Sequence, residues 1–134
     1  MPRLELSRES EYFIPGNLYR QCIYFCRQYP DWAATLSSPP DSGKGIDYSV
    51  PRVQTSGDFD PVEAEGIRRH QYAIKKQKVD DAIMEAAPEI AKWMLQGVAY
   101  RRTYEELEAM GMPCGRRFYF ERRRRFFFIL SQKI

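Results

Sequence analysis

Histidine is almost missing from this chain, with His70 the single example in 134 residues, and cysteine is scarce and odd in number. With one imidazole, lodged beside Arg68, Arg69 and Gln71, the spacing supports no Ser-His-Asp or Cys-His constellation. Cys22, Cys26 and Cys114 make neither an even disulfide set nor a zinc spacing. Cys22 and Cys26 lie one helical turn apart, and with Cys114 and His70 would number four ligands. Structural zinc sites, however, present paired ligands on a loop or knuckle, so buried free thiols are expected. A phosphate-cradling glycine loop is also lacking, and of the conceivable metal carboxylates Asp58, Asp60, Asp80 and Asp81 the last two lie on a helix with no partner spacing. The expectation is a protein without catalysis, cofactor or metal. No apolar run approaches the length that crosses a bilayer, and the first residues, with Arg3, Glu5, Arg8 and Glu9, form no signal-peptide core. A cytoplasmic location and no membrane partner are expected.

What the chain does have is a hydrophobic content of 43% with 14% aromatics, enough for a real core. The periodicities are those of an all-α protein. Leu18, Cys22, Phe25 and Cys26 trace a helical stripe over residues 17–29, with Asn17 as N-cap and Pro30 as its stop. Asp31 is then placed to cap a short helix through Leu36. Residues 37–57 are rich in Ser, Pro, Gly and Asp, which reads as a linker or long loop. The division expected is an N-terminal helical segment (1–37), a linker (38–57) and a C-terminal helical domain (58–134) that folds on its own. In that domain Asp60-Pro61-Val62-Glu63 announces a helix running to about Ala86. Its apolar side is made of Val62, Ile67, Ile74, Val79, Ala82 and Ile83. A further helix opens at Pro88, carries Ile90, Trp93, Met94 and Val98, and ends near Gly97.

The stretch from Thr103 to Ser131 organises the rest. Thr103 and Glu106 have capping-box spacing, Gly111 suits a left-handed helix end, Met112 is the apolar plug, and Pro113 is placed to open a second helix. Tyr119, Phe120, Phe126, Phe127 and Leu130 recur at helical spacing along it. These features make a helix-turn-helix candidate over about 103–131. Residues 114–134 hold six arginines and Lys133 against Glu121 alone and so carry +6. The whole chain is +3, which leaves −3 for residues 1–113. Cationic character concentrated beside an acidic remainder implies a polyanionic partner. Arg116, Arg117, Phe118 and Glu121 occupy the part of a recognition helix that reads base edges. Arg101, Arg102, Arg122, Arg124 and Arg125 are the expected phosphate contacts.

Tyr104-Glu-Glu-Leu107, Gly111-Met-Pro-Cys-Gly-Arg-Arg117 and Arg123-Arg-Arg-Phe-Phe127, followed by Ile129-Leu130-Ser131 and Lys133, resemble the C-terminal part of small phage and prophage regulators. Those proteins are similar to the RinA and ArpU regulators of late genes, with a domain like the one by which sigma factors bind the −35 element. The resemblance covers roughly residues 60–134. It implies a helical DNA-binding transcription regulator without a cofactor, with double-stranded DNA as its partner and RNA polymerase as a candidate second one. The sequence departs from the sigma-like pattern in its longer approach over residues 98–102 and in having Arg117 where an apolar residue is usual. Two alternatives remain at this stage: a terminase small-subunit-like packaging protein, a homo-oligomer built through the helix at 60–86, or a non-enzymatic interaction protein using the basic aromatic helix on a membrane surface or partner helix.

Overall fold

A computed structural model describes residues 12–38 and 60–134. Among these residues the chain is all-α: six helices and one 3₁₀ turn, with no strand. Helix α1 is Gly16–Arg27, α2 Tyr29–Ser37, α3 Pro61–Ala86, α4 Ala91–Val98, α5 Tyr104–Ala109 and α6 Arg116–Ser131. The 3₁₀ turn Pro88–Ile90 leads into α4. Nearly all of the linker expected at 38–57 lies outside the described residues.

Local sequence explains most of the boundaries. Asp60 caps α3, its carboxylate accepting from the Val62 amide at 3.0 Å, and Pro61 stands in the first turn. Two expected boundaries differ. Asn17 lies inside α1, its side chain accepting from Arg20, and Pro15 occupies the N-cap. Pro30 opens α2 rather than merely stopping α1, because a missing amide proton costs nothing where helical donors are unpaired anyway; Asp31 falls within α2's first turn.

A single core runs through both halves of the chain. Cys22, Cys26, Tyr29 and Trp32 from α1 and α2 are buried in the same cluster as Val79, Ala82, Ile83 and Ala86 of α3, Met94 of α4 and Tyr119, Phe126, Phe127 and Leu130 of α6. Tyr19 meets Phe127 edge-on at 5.3 Å, and the Cys22 thiol lies 3.9 Å from the Phe127 carbonyl. Polar contacts fix α2 on α3. The Tyr29 hydroxyl donates to Asp80 at 2.7 Å, and Lys76 pairs with the same carboxylate at 3.0 Å. The Arg69 guanidinium donates to the carbonyls of Thr35, Leu36 and Ser38 at 2.8, 3.3 and 2.9 Å. These are the groups a helix C-terminus leaves unpaired, and a cation there also suits the dipole.

The N-terminal helices thus share one core with residues 60–134. Burial of a large apolar side chain stabilises by about 1.5–3 kcal/mol, and a whole domain by only about 5–15 kcal/mol. Uncovering the surfaces that Cys22, Cys26, Tyr29 and Trp32 occupy would remove a large part of the latter. The apolar side expected for α3 is also shorter than supposed. Its buried residues are Val79, Ala82, Ile83 and Ala86, at spacings of three, four and seven, while Val62, Ile67 and Ile74 are exposed.

Burial, with no compensating charge nearby, pushes the Cys22 thiol up to about 11. Cys26 is raised further by burial and then by Cys22. Both behave as small apolar residues at neutral pH, as the sequence suggested.

Helix α4 ends one residue after Gly97, at Val98, as the sequence suggested. Gly97 is buried against α6, where a β-carbon would stand 2.0 Å from the Tyr119 hydroxyl oxygen and 3.2 Å from ring carbon Cζ. Tyr119 is itself enclosed and has nowhere to swing. Gly97→Ala is expected to destabilise the protein, because overpacking costs about 1–3 kcal/mol and the gain in helix propensity is at most about 1 kcal/mol. Adding Tyr119→Phe recovers part of the loss. Urea unfolding of the parent and both variants checks this, and an unchanged midpoint for Gly97→Ala would show that α4 and α6 are not this close.

Candidate nucleic-acid interface

The turn between α5 and α6 forms by local rules. Thr103 and Glu106 make the full capping box: the Thr103 hydroxyl accepts from the Glu106 amide at 3.2 Å, and the Glu106 carboxylate accepts from the Thr103 amide at 2.8 Å. At the other end Gly111 has φ +95°. Its amide donates to the Glu108 carbonyl at 3.0 Å and the Met112 amide to the Leu107 carbonyl at 3.1 Å. This is a Schellman closure, with Leu107 and Met112 as its buried apolar residues. The Tyr104 hydroxyl donates to the Cys114 carbonyl at 3.4 Å and ties the turn back to α5. Helix α6 then begins at Arg116 with Gly115 as N-cap, so Pro113 lies three residues before the first turn it was expected to open.

Core packing fixes how α6 is rotated, and rotation decides what each arginine does. Tyr119, Phe126, Phe127 and Leu130 face inward. Arg117, Glu121 and Arg124, at spacings of four and three, share the opposite side. Arg117 and Glu121 are exposed and Arg124 half-exposed. Arg117 and Arg124 make no ion pair or hydrogen bond among the described residues. The other predicted site residues, Arg101 excepted, make contacts within the protein. Arg116 pairs with Glu105 and lies over the Tyr104 ring at 4.7 Å. Glu105 is held below the ordinary carboxylate range by its own backbone amide first and by Arg116 second. Phe118 is half-buried beneath Arg122, whose guanidinium stands 4.5 Å from the ring centre.

The side chain of Arg122 is only 19% exposed and reaches Glu89 of the 3₁₀ turn at 3.7 Å. Arg125 lies over Tyr12 at 5.5 Å and 4.0 Å from Glu121. Nε of both Arg122 and Arg125 is enclosed without a hydrogen-bond acceptor among the described residues. Arg102 is exposed, 3.9 Å from Glu106, and Arg101 is exposed and unpaired among the described residues.

The nine predicted residues thus divide into an outward set of Arg117, Glu121 and Arg124, a flank of Arg101, Arg102 and Arg116, and a packed set of Phe118, Arg122 and Arg125. Sequence reasoning missed Arg27 and Arg123. Both stand on the same side as Arg101, Arg102 and Arg116, Arg123 lying over the Phe127 ring at 4.9 Å with the Tyr19 hydroxyl 3.5 Å away. Arg123 sits in the arginine run and invited the same treatment as its neighbours, whereas Arg27 is brought near only by the docking of α1.

No protein family model, curated protein or solved structure matches this chain.

Because a β-carbon at Gly111 meets nothing within 4 Å, its replacement is resisted by the backbone alone. Gly111→Val is expected to cost about 1–2 kcal/mol and Gly111→Asn clearly less, since asparagine visits the left-handed region more readily. Thermal melts of both variants give the order; equal melting temperatures for parent and Val variant would contradict the turn.

Proposed function

We propose that this protein is a sequence-specific double-stranded DNA-binding transcription regulator of the phage and prophage late-gene type, acting without a catalytic step and in contact with RNA polymerase. The observation that carries this reading is the pair of unpartnered arginines, Arg117 and Arg124, on the solvent side of a helix entered through a capped and Schellman-closed turn. An arginine near the start of such a helix is placed to pair bidentately with guanine, and one further along to neutralise a phosphate. The carboxylate of Glu121, exposed between them, is a suitable acceptor for the cytosine amino group.

A second reading has one observation in its favour. The exposed Val62, Ile67 and Ile74 of α3 suit self-association, as a ring-forming DNA-packaging subunit requires. Light scattering separates the two: a monomer or dimer supports the regulator, a ring of eight or more the packaging subunit.

The functional test starts from duplexes selected out of a random pool. Arg117→Ala is expected to cost about 1–3 kcal/mol on the preferred site with little loss on scrambled duplex. Arg124→Ala is expected to weaken both alike and to shallow the salt dependence by about one unit of slope. Arg122→Ala, which removes a packed side chain, lowers thermal stability instead. Fluorescence anisotropy at several salt concentrations reads the first two. Absence of parent binding to any duplex removes the proposal.

A further inference from the structure

Beside α6, on the flank away from the 3₁₀ turn, lies a cleft of about 450 Å³. Its walls come from three places far apart in sequence: α1 with Arg27, the connection between α4 and α5 with Arg101 and Arg102, and α6 with Arg116 and Arg123. Glu105 is the one carboxylate among the lining residues, against these five arginines. Like charges gathered in a concave site repel one another, and low-dielectric walls focus their field into the opening. Such an arrangement is relieved by an anion carrying several charges.

The geometry narrows the anion. Pockets that enclose small organic ligands measure about 300–1,000 Å³, so this cleft has room for far more than one phosphate ion. The half-buried ring of Phe120, with the Arg116 guanidinium 5.8 Å from its centre, and the half-buried Ile23 supply apolar wall. Arginine forks match phosphate oxygens bidentately. A duplex, by contrast, keeps its bases paired and inaccessible to a ring in a cleft wall.

The backbone adds an independent sign. Arg101 has φ 61°, the one positive value at a residue other than glycine among the described residues, and the amide of Arg102, the next residue, donates back to the Gln96 carbonyl at 3.1 Å. Non-glycine residues held in this sparsely occupied region cluster at ligand clamps. Here the conformation delivers the Arg101 side chain, unpaired among the described residues, to the cleft.

We propose that the cleft between α1, the α4–α5 connection and α6 binds a nucleoside di- or triphosphate, its phosphates held by Arg101, Arg102, Arg116 and Arg123 and its base against Phe120. Glu105 holds Arg116 when the site is empty and yields it to the phosphates on binding. The proposal is independent of duplex recognition, which uses the other side of α6.

Calorimetric titration of the full chain with ATP, GTP, ADP and pyrophosphate tests it. At least one nucleotide is expected to bind one-to-one and more tightly than pyrophosphate. Arg101→Gly should weaken that binding about tenfold or more, the scale of losing a charged hydrogen bond. The same variant should melt no lower than the parent, since glycine accepts the left-handed backbone freely. Loss of binding without loss of stability is what a purely structural arginine does not give. Glu105→Gln should tighten binding by releasing Arg116, and Lys75→Ala, on α3 away from the cleft, should change nothing. The proposal is overturned if no nucleotide binds, if pyrophosphate binds as tightly as the nucleotides, or if Arg101→Gly leaves the affinity unchanged.

Discussion

Helix α6 cannot be buried by any one neighbour. Tyr119, Phe126, Phe127 and Leu130 need cover from several directions, and the chain supplies it with α1, α3 and α4. Gly97 lets α4 approach Tyr119, Tyr19 closes edge-on over Phe127, and Lys133 at the far end pairs with Glu85 of α3 at 2.8 Å. Everything proposed for this molecule depends on that packing, because it sets the rotation of α6 about its own axis.

Rotation matters so much because the arginines are consecutive. Neighbouring residues on a helix are turned by about 100°, so residues 122–125 point in four directions. Arg122 goes to Glu89 and Phe118, Arg123 to Phe127 and the cleft, Arg125 toward Tyr12, and Arg124 outward to solvent. Three of the four cover aromatic rings, an arrangement worth about 0.5–1 kcal/mol each at exposed sites and more where water is excluded. The run of charge that looks like one polyanion-binding patch in the sequence therefore serves packing, a cleft and an open face at once.

What was legible in the sequence was local. The Asp60 cap, the capping box at Thr103 and Glu106, the left-handed turn at Gly111, the plug at Met112 and the inward residues of α6 follow from rules that span a few residues. What was not legible depends on residues far apart. Cys22 meets Phe127 across 105 positions, and Tyr29 meets Asp80 across 51. A polar, Pro- and Gly-containing stretch between them suggests separation, but composition says nothing about whether what it joins docks afterwards. The same distance hides Arg27, which reaches the cleft only because α1 lies beside α6. Asn17 and Pro30 misled for a smaller reason: cap preference and proline punctuation each fit more than one neighbouring boundary.

The central claim is that the N-terminal hairpin and the C-terminal helices form one cooperative unit whose shared core orients α6. Native-state hydrogen exchange measures this directly, since each amide reports the free energy of the opening that exposes it. The amides of Cys22, Cys26 and Trp32 are predicted to exchange at the same free energy as those of Phe126 and Phe127, all matching global unfolding. Exchange in α1 and α2 at distinctly lower free energy, with α6 still fully protected, would contradict the account: α6 would then hold its orientation without the hairpin.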